Sequence, residues 1–261
     1  MADYRSWAKI FDDYEILLHD FIKRPFVLSA GQIKTSCQDF KKTAQKEVRI
    51  LCKQDTRESR PAIFKENQLF LLPVKNGLYN IIKGEGYVDI PEIQNDTIIY
   101  RSKLDFILYS SKVGNSEMQH LDYAYASSLI RTFMEDDSLV LTIRGRKYTP
   151  KFDFYVNNQL INVSSVQTEV DAGYEGRDKI VLIEAKNSKA TNIIIRQLYY
   201  PFRQWQSHIK KKVVTLFFEK VKDTYSIWQF GFNDIKRYDS IKLIKARRYR
   251  IRENLFSDFI F

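Results

Sequence analysis

Residues 179–186 read Lys-Ile-Val-Leu-Ile-Glu-Ala-Lys, an apolar run that ends in two charges. The unbroken Val181-Leu182-Ile183 stretch predicts a strand covered on both faces, deep in a sheet. Successive strand side chains point to opposite faces, so Glu184 and Lys186 share one face while Ile183 and Ala185 take the other. Ionised groups in such a strand are costly unless they are paired or bound to a metal. Upstream, Val163 to Asp171 has the composition of a second strand, with Glu169 and Asp171 on a common face, and Ala172 to Asp178 supplies two glycines and charges for a long turn. A hairpin of these two strands brings two or three carboxylates and one amine together.

Converging carboxylates beside a lysine suit metal-assisted hydrolysis of a phosphodiester. Carboxylates hold a hard cation, which polarises the phosphate and acidifies a bound water, and the lysine positions that water or offsets phosphate charge. Asp171, 13 positions before Glu184 and across a turn, followed by Glu184-x-Lys186, resembles the signature of the PD-(D/E)XK nuclease superfamily. The flanking Glu169-Val-Asp171-Ala-Gly-Tyr-Glu and Ile183-Glu-Ala-Lys-Asn187 look more narrowly like type II restriction endonucleases of that superfamily. The sequence departs from the pattern at one place, where Val170 rather than proline precedes Asp171.

A formal net charge of +10, with 42 Lys and Arg against 32 Asp and Glu, favours a polyanionic partner, because basic side chains that neutralise phosphates release counterions. Nucleic acid fits better than membrane, since no apolar stretch approaches the roughly 18 residues of a span, and the first residues lack the apolar core of a signal peptide. A cytoplasmic location is the expectation. Cys37 and Cys52 are too few for a disulfide framework or a zinc site, and His19, His120 and His208 are scattered, which leaves little for a histidine-based metal centre or a catalytic triad.

Trp7, Ile10, Phe11, Tyr14, Leu17, Leu18 and Phe21 recur at helical spacing, predicting an amphipathic helix over residues 3–23 that ends before Pro25. Ser29 caps a second helix from Ala30 to about Phe40, and Glu47 to Lys53 forms a third. Strands are expected over Ala62 to Lys65, Leu69 to Val74 and Leu78 to Lys83. Helices followed by small antiparallel strands outline a winged helix, which would place a helix in the DNA major groove. Lys34, Arg49, Lys53, Arg57, Arg60 and Lys75 are its candidate phosphate contacts, each weighed against a merely solvated basic face. A domain boundary is placed in the loose stretch Gly84 to Arg101, giving a recognition unit over residues 1–98 and a nuclease unit over 99–261.

Ser116 opens the next helix, running to about Met134, with Gln119 placed to complete a capping box. Glu117 either serves the helix dipole or, as the resemblance implies, adds an acidic residue to the metal site, with Asp122 as the alternative. Strands follow at Leu139 to Ile143 and Lys151 to Val156, turned by Arg144-Gly-Arg146. Asp153 in the second of these is a rival metal ligand, set behind Asp171 because it precedes Glu184 by an extra strand. A helix from Asn192 to about Ile209 carries Arg196, Gln197 and Arg203, and the resemblance implies a polar residue near the phosphate here, which Gln197 or Arg196 matches. Strands at Val213 to Phe218, Tyr225 to Phe232 and Ile241 to Arg252 close the chain, the last with a cationic face.

The expected fold is thus α/β: an αβββαβ restriction-endonuclease-like core, a mixed sheet flanked by helices, behind an N-terminal winged-helix-like domain. The resemblance implies a Mg²⁺-dependent site-specific endonuclease on double-stranded DNA that leaves 5′-phosphate ends, with Mn²⁺ able to substitute, and with Asp171, Glu184 and Glu117 as metal ligands, Lys186 and Gln197 assisting, and Glu169 supporting them or binding a second ion. It also implies a homodimer matched to a palindrome and a cognate DNA methyltransferase as genetic partner. Two alternatives stay open: a junction-resolving or repair nuclease with the same site, and a non-enzymatic winged-helix regulator in which Asp171, Glu184 and Lys186 form only a buried charge network.

Overall fold

The structure, a computed structural model, describes residues 4–253. Trp7, Ile10 and Phe11 line one side of α1 (Tyr4–Asp13) and are buried against Phe64, whose ring lies 4.7 Å from that of Trp7, edge to face. The helix is shorter than its periodicity predicts, because Glu15 takes a left-handed conformation (φ 49°) and a 3₁₀ turn, Ile16–Leu18, replaces the next α-turn. β1 (Phe26–Ser29) then enters α2 (Ala30–Cys37) through a full capping box. Ser29 Oγ accepts from Gln32 N at 3.1 Å, and Gln32 Oε1 accepts from Ser29 N at 2.8 Å.

Two short helices follow, α3 (Thr43–Lys46) and α4 (Val48–Leu51), and then α5 (Ala62–Glu66), β2 (Leu69–Lys75) and β3 (Leu78–Lys83). The expected strand at Ala62 to Lys65 is therefore a helix. Pro61 at its N-cap, with φ fixed near the helical value, starts the turn, and Phe64 faces the core from it. The three strands make an antiparallel sheet in the order β1-β3-β2, with the helices packed over Leu71 and Ile81.

The remaining chain contributes β4 (Tyr87–Asp89), β5 (Ile98–Arg101), α6 (Glu117–Ala126), α7 (Leu129–Met134), β6 (Val140–Tyr148), β7 (Phe152–Val156), β8 (Gln159–Val163), β9 (Gln167–Glu175), β10 (Lys179–Lys186), β11 (Asn192–Ile194), α8 (Arg196–His208), β12 (Lys212–Val221), β13 (Thr224–Phe232) and β14 (Ile241–Arg252). A seven-stranded mixed sheet runs β5-β14-β13-β12-β10-β9-β6. Within it β10 and β12 are parallel, as are β14 and β5. The antiparallel neighbours β9–β10 and β12–β13 join by short turns, β6 and β9 are separated by the β7–β8 ribbon, and the parallel pair β10–β12 needs a crossover, which α8 supplies.

Helices cover both faces. Leu121, Leu129 and Phe133 from α6 and α7 pack on Val181, Ile183, Leu216 and Phe218, while Tyr199 and Tyr200 of α8 pack with Ile180, Leu182 and Phe154 on the other face. The observed architecture is a large mixed α/β sheet flanked by helices.

Several local expectations are corrected. The helix predicted over 116–134 breaks at Ser128, which is left-handed (φ 65°), into α6 and α7. Arg144-Gly-Arg146 is no turn but lies inside β6, where Gly145 (φ 79°) makes a bulge that breaks the register with β9. The predicted strand Val163 to Asp171 is shifted to Gln167–Glu175, with a short turn after it, because Gly173 belongs to the strand: a Cβ there would sit 2.7 Å from that of Ile143. The start of the helix predicted from Asn192 is instead β11, paired with β4.

Candidate functional site

Pairing between β9 and β10 runs from Ile180↔Glu175 to Ile183↔Ala172, and the next facing pair in that register is Glu184 with Asp171. At this point the hairpin forks. β10 continues beside β12 as far as Lys186↔Glu219, while β9 continues beside β6 as far as Gln167. The Ala185 N–H, left without a strand partner, donates to Asp171 Oδ2 at 2.7 Å, so a carboxylate closes the fork where backbone pairing ends.

Inside the fork Glu184 Oε1 accepts from Lys186 Nζ at 2.5 Å and from Gln197 Nε2 at 2.6 Å. Lys186 Nζ also donates to the Ala185 carbonyl at 2.9 Å. The Glu184 side chain is 11% exposed and that of Lys186 25%. Burial pushes the Glu184 carboxyl up to about 7 against the pull of Lys186, and the negative charges of Asp171 and Asp55 add to the rise. Asp171 is raised in the same way by burial, opposed by the Ala185 N–H and Lys186 and helped by Glu117 and Glu169. Burial would lower Lys186, but Glu184, Glu117 and Asp171 together outweigh it and raise the amine. Lys186 is therefore a fixed ammonium. It can orient and neutralise, and it is no proton acceptor.

Gln197 comes from the first turn of α8, and its Oε1 is buried without a hydrogen-bond partner, beside a cavity of about 10 Å³ that Glu184 and Pro201 also line. Pro201 inside this helix has no N–H to offer the Gln197 carbonyl one turn back. Glu117 lies in the first turn of α6, where Ser116 Oγ accepts from Gln119 N at 3.2 Å. Only this half of the expected capping box forms, because the Gln119 amide turns away to donate to the Ser110 carbonyl at 2.9 Å and to that of Val113. Asn187 Nδ2 donates to the Asn115 carbonyl at 2.9 Å and so ties the start of α6 to the end of β10, which brings Glu117 within the electrostatic reach of Asp171 and Lys186.

Asp122 is drawn off to Arg144 Nη2, and Glu169 is held at the exposed rim by Arg146 Nε at 3.1 Å. Asp153 sits exposed on the separate β7–β8 ribbon, outside the seven-stranded sheet. Sequence inspection missed Asp55, whose charge reaches Glu184 from the N-terminal unit, and Arg144, which donates to the Asp171 carbonyl at 3.5 Å. It missed the Asn115–Asn187 tie as well. The Arg144-Gly-Arg146 bulge was the one signal available for any of these. Asp55, more than a hundred residues from Glu184 along the chain, left none.

The basic candidates divide in two. Lys34, Arg49, Lys53 and Lys75 are exposed, Lys53 with Asp55 3.9 Å away. Four arginines are engaged by the fold itself. Arg57 pairs with Glu85 at 3.2 Å and with Asp89, Arg60 donates to the Leu69 carbonyl at 3.1 Å and lies over the Tyr87 ring, and Arg196 meets Asp55 at 3.4 Å. Arg203 donates to the carbonyls of Asp153 and Ile235 and to the Tyr199 hydroxyl, and stacks on Phe152.

Among the described residues no group of three His, Cys, Asp or Glu side chains is arranged to hold a metal ion, and no helix is long and apolar enough to cross a membrane. No curated protein and no solved structure matches the chain. Residues 4–81, which contain α1 to α5 and most of the three-stranded sheet, match a domain of unknown function, DUF6996. The model of a second domain of unknown function, DUF6997, matches residues 82–250, the fork and its flanking helices included, and the chain belongs to that family.

Proposed function

We propose that the chain is a Mg²⁺-dependent type II restriction endonuclease of the PD-(D/E)XK superfamily, with the helical N-terminal unit and its small sheet acting as a winged-helix-like DNA-recognition part. The observation that carries this reading is the fork: Asp171, Glu184 and Lys186 lie where β9 leaves β10, with Gln197 on Glu184. With the β7–β8 ribbon and the short β11 set aside as insertions, the chain order around it, α6–α7, β6, β9, β10, α8, β12, is compatible with an αβββαβ core.

The donor chemistry suits a hard cation, which would have to draw the carboxylates together, since among the described residues they form no three-ligand group as they stand. The donor atoms are carboxylate oxygens, and the carbonyl oxygen of Gln197 beside them is buried without a partner. Asp171 and Glu184, with Glu117, would hold Mg²⁺, which when bound supplies Lewis-acid polarisation of the phosphate and a more acidic water. The ammonium of Lys186 orients the attacking water and offsets charge gathering on the phosphate oxygens. The water oxygen bonds to phosphorus and gives up a proton to solvent as the bond to the 3′ oxygen breaks in line, and the departing oxygen takes up a proton from solvent, leaving a 5′-phosphate and a 3′-hydroxyl. Gln197 holds Glu184 in place throughout. Lys34, Arg49, Lys53 and Lys75 would neutralise DNA phosphates, and a homodimer would match a palindromic site, with a methyltransferase protecting the host.

One specific observation favours the non-enzymatic alternative: Glu184 already has both an ammonium and an amide on a single oxygen, as a closed charge network would. Incubation of plasmid DNA with the protein and Mg²⁺ tests both. Discrete bands, with run-off sequencing placing the cut at one short sequence, are the expected result. Binding that never becomes cutting in Mg²⁺ or Mn²⁺ overturns the nuclease and leaves the regulator. Cutting of branched but not linear DNA points instead to a junction-resolving enzyme.

A further inference from the structure

The stretch after α4, Lys53 to Glu58, leaves the N-terminal unit and lies against β11 and the start of α8. Ile194 N donates to the Asp55 carbonyl at 2.8 Å, and Arg57 N donates to Asn192 Oδ1 at 2.7 Å. Asn192 Nδ2 answers by donating to both Glu58 oxygens at 3.0 Å. The Asp55 carboxylate lies 3.4 Å from Arg196 Nη2, with both side chains only about one-fifth exposed (21% and 22%). Among the described residues it is the one carboxylate within ion-pair distance of that guanidinium. Tyr79, Tyr87, Tyr200 and Tyr238 feel the charge of Arg196, and its Nε is buried without a hydrogen-bond partner.

Arg196 is the first residue of α8 and Gln197 the second. α8 has no side-chain cap at Ile195, and although Leu198 N and Tyr199 N bond back to the Ile195 carbonyl at 3.0 and 2.8 Å, the N–H groups before them have no partner within the helix. Pro201 also withholds the N–H that would bond the Gln197 carbonyl. This turn is therefore held in place from outside. That support comes from two sides: Ile195 N donates to the Gly86 carbonyl at 3.0 Å, while the N-terminal unit supplies the Asp55 carbonyl to Ile194 N at 2.8 Å and the Asp55 carboxylate to Arg196.

We propose that Asp55 is a positioning residue of the site: through Arg196 it fixes the first turn of α8 and so sets where Gln197 meets Glu184, making the site complete only when the N-terminal unit is docked on the core. The consequence for catalysis rests on the nuclease reading, while the geometric claim does not. The charge of Asp55 also reaches Glu184 directly, so loss of docking would change the field on that carboxylate as well as its hydrogen bond.

The full chain, labelled with ¹⁵N, gives a direct readout in the side-chain amide resonance of Gln197, assigned by its disappearance in Gln197→Leu. Asp55→Asn is expected to move that resonance toward the position of an unbonded glutamine, whereas Asp55→Glu keeps it near the original. In Mg²⁺, Asp55→Asn should lower kcat by about 10-fold or more, since small misplacements of catalytic groups are costly, while DNA affinity measured without Mg²⁺ stays within about twofold. Added to Gln197→Ala, it should cost much less than it costs alone. An unmoved Gln197 amide in a folded Asp55→Asn variant, or fully additive losses in the double variant, overturns the proposal. Should Asp55→Asn not fold, Arg196→Gln removes the buried cation instead of its partner and reads the same resonance. A wild-type protein that never cuts DNA sinks the nuclease reading alone, and the amide still decides the positioning.

Discussion

The β9–β10 hairpin carries a carboxylate–lysine pair at each end, and the two behave in opposite ways. At the closed end Asp136 meets Lys179 at 3.0 Å and accepts from Ser138 N at 2.9 Å and Ser138 Oγ at 2.5 Å, and these bonds hold its carboxyl down at about 2. At the forked end Glu184 meets Lys186 at 2.5 Å, a shorter contact, yet its carboxyl stands at about 7. The difference is burial without enough donors. Asp136 is satisfied at the sheet's edge, whereas Glu184 shares one oxygen between two donors and faces other negative charges. A close ion pair therefore says little about chemistry until the surroundings are counted, and strongly shifted carboxyls cluster at functional sites as well as in structural charge networks.

Stability should follow pH in opposite senses at the two ends. The depressed Asp136 stabilises the fold above the ordinary carboxyl range, and that contribution is lost as pH falls through about 2. The raised Glu184 contributes fully below its ordinary 4.5, and that contribution is lost as pH rises through about 7.

The sharpest break in the comparison is in activity. Glu184→Ala or Lys186→Ala should reduce Mg²⁺-dependent cleavage by roughly 10³-fold or more, with DNA binding without Mg²⁺ within about threefold, whereas Asp136→Ala should leave the activity of the folded fraction intact. Equal losses at both ends would make the fork an ordinary structural pair. Next in size is stability: in urea titrations at pH 7, Asp136→Ala should cost about 1–3 kcal/mol, a deficit that shrinks as pH falls from about 4 toward 2. Gln197→Ala should slow cleavage about 10-fold with little change in Tm, and an undiminished kcat would remove the glutamine from the site. The smallest effect is a titration. Carboxyl ¹³C spectra should place Glu184 near 7, and Asp171→Asn should move it lower by a fraction of a unit, because the lost charge was one that raised it. A rise would reverse the electrostatic account.

The site was more legible in the sequence than the fold around it. Lys179–Lys186 is the strand its apolar run predicts, and alternation alone put Glu184 and Lys186 on one face, whereas the register that sets Asp171 across from Glu184 comes from β9 extending to Glu175. Gln197, one of two residues the resemblance implied near the phosphate, donates to Glu184. What escaped depends on distant partners. β11 looks helical locally and becomes a strand only because β4, about a hundred residues earlier, is there to pair with it. Gly173 reads as a turn residue until Ile143 is known to press on it. Arg57, Arg60 and Arg203 read as surface charge because nothing local shows the carboxylates, carbonyls and rings that hold them. Asp55 is the extreme case.

The parallel pairing of β5 with β14 has a consequence during synthesis. β5 carries the half-exposed Ile98 and Ile99, and among the described residues its neighbour in the sheet is the strand made some 150 residues later. At the ribosome's pace of about 5–20 residues per second, that edge waits on the order of 10–30 seconds for its partner. The N-terminal sheet, whose strands all lie within residues 26–83, can close long before then. A nascent chain of this protein would therefore carry a finished head and a sticky, unpaired ribbon behind it, and slowing translation between the two should raise the fraction that aggregates.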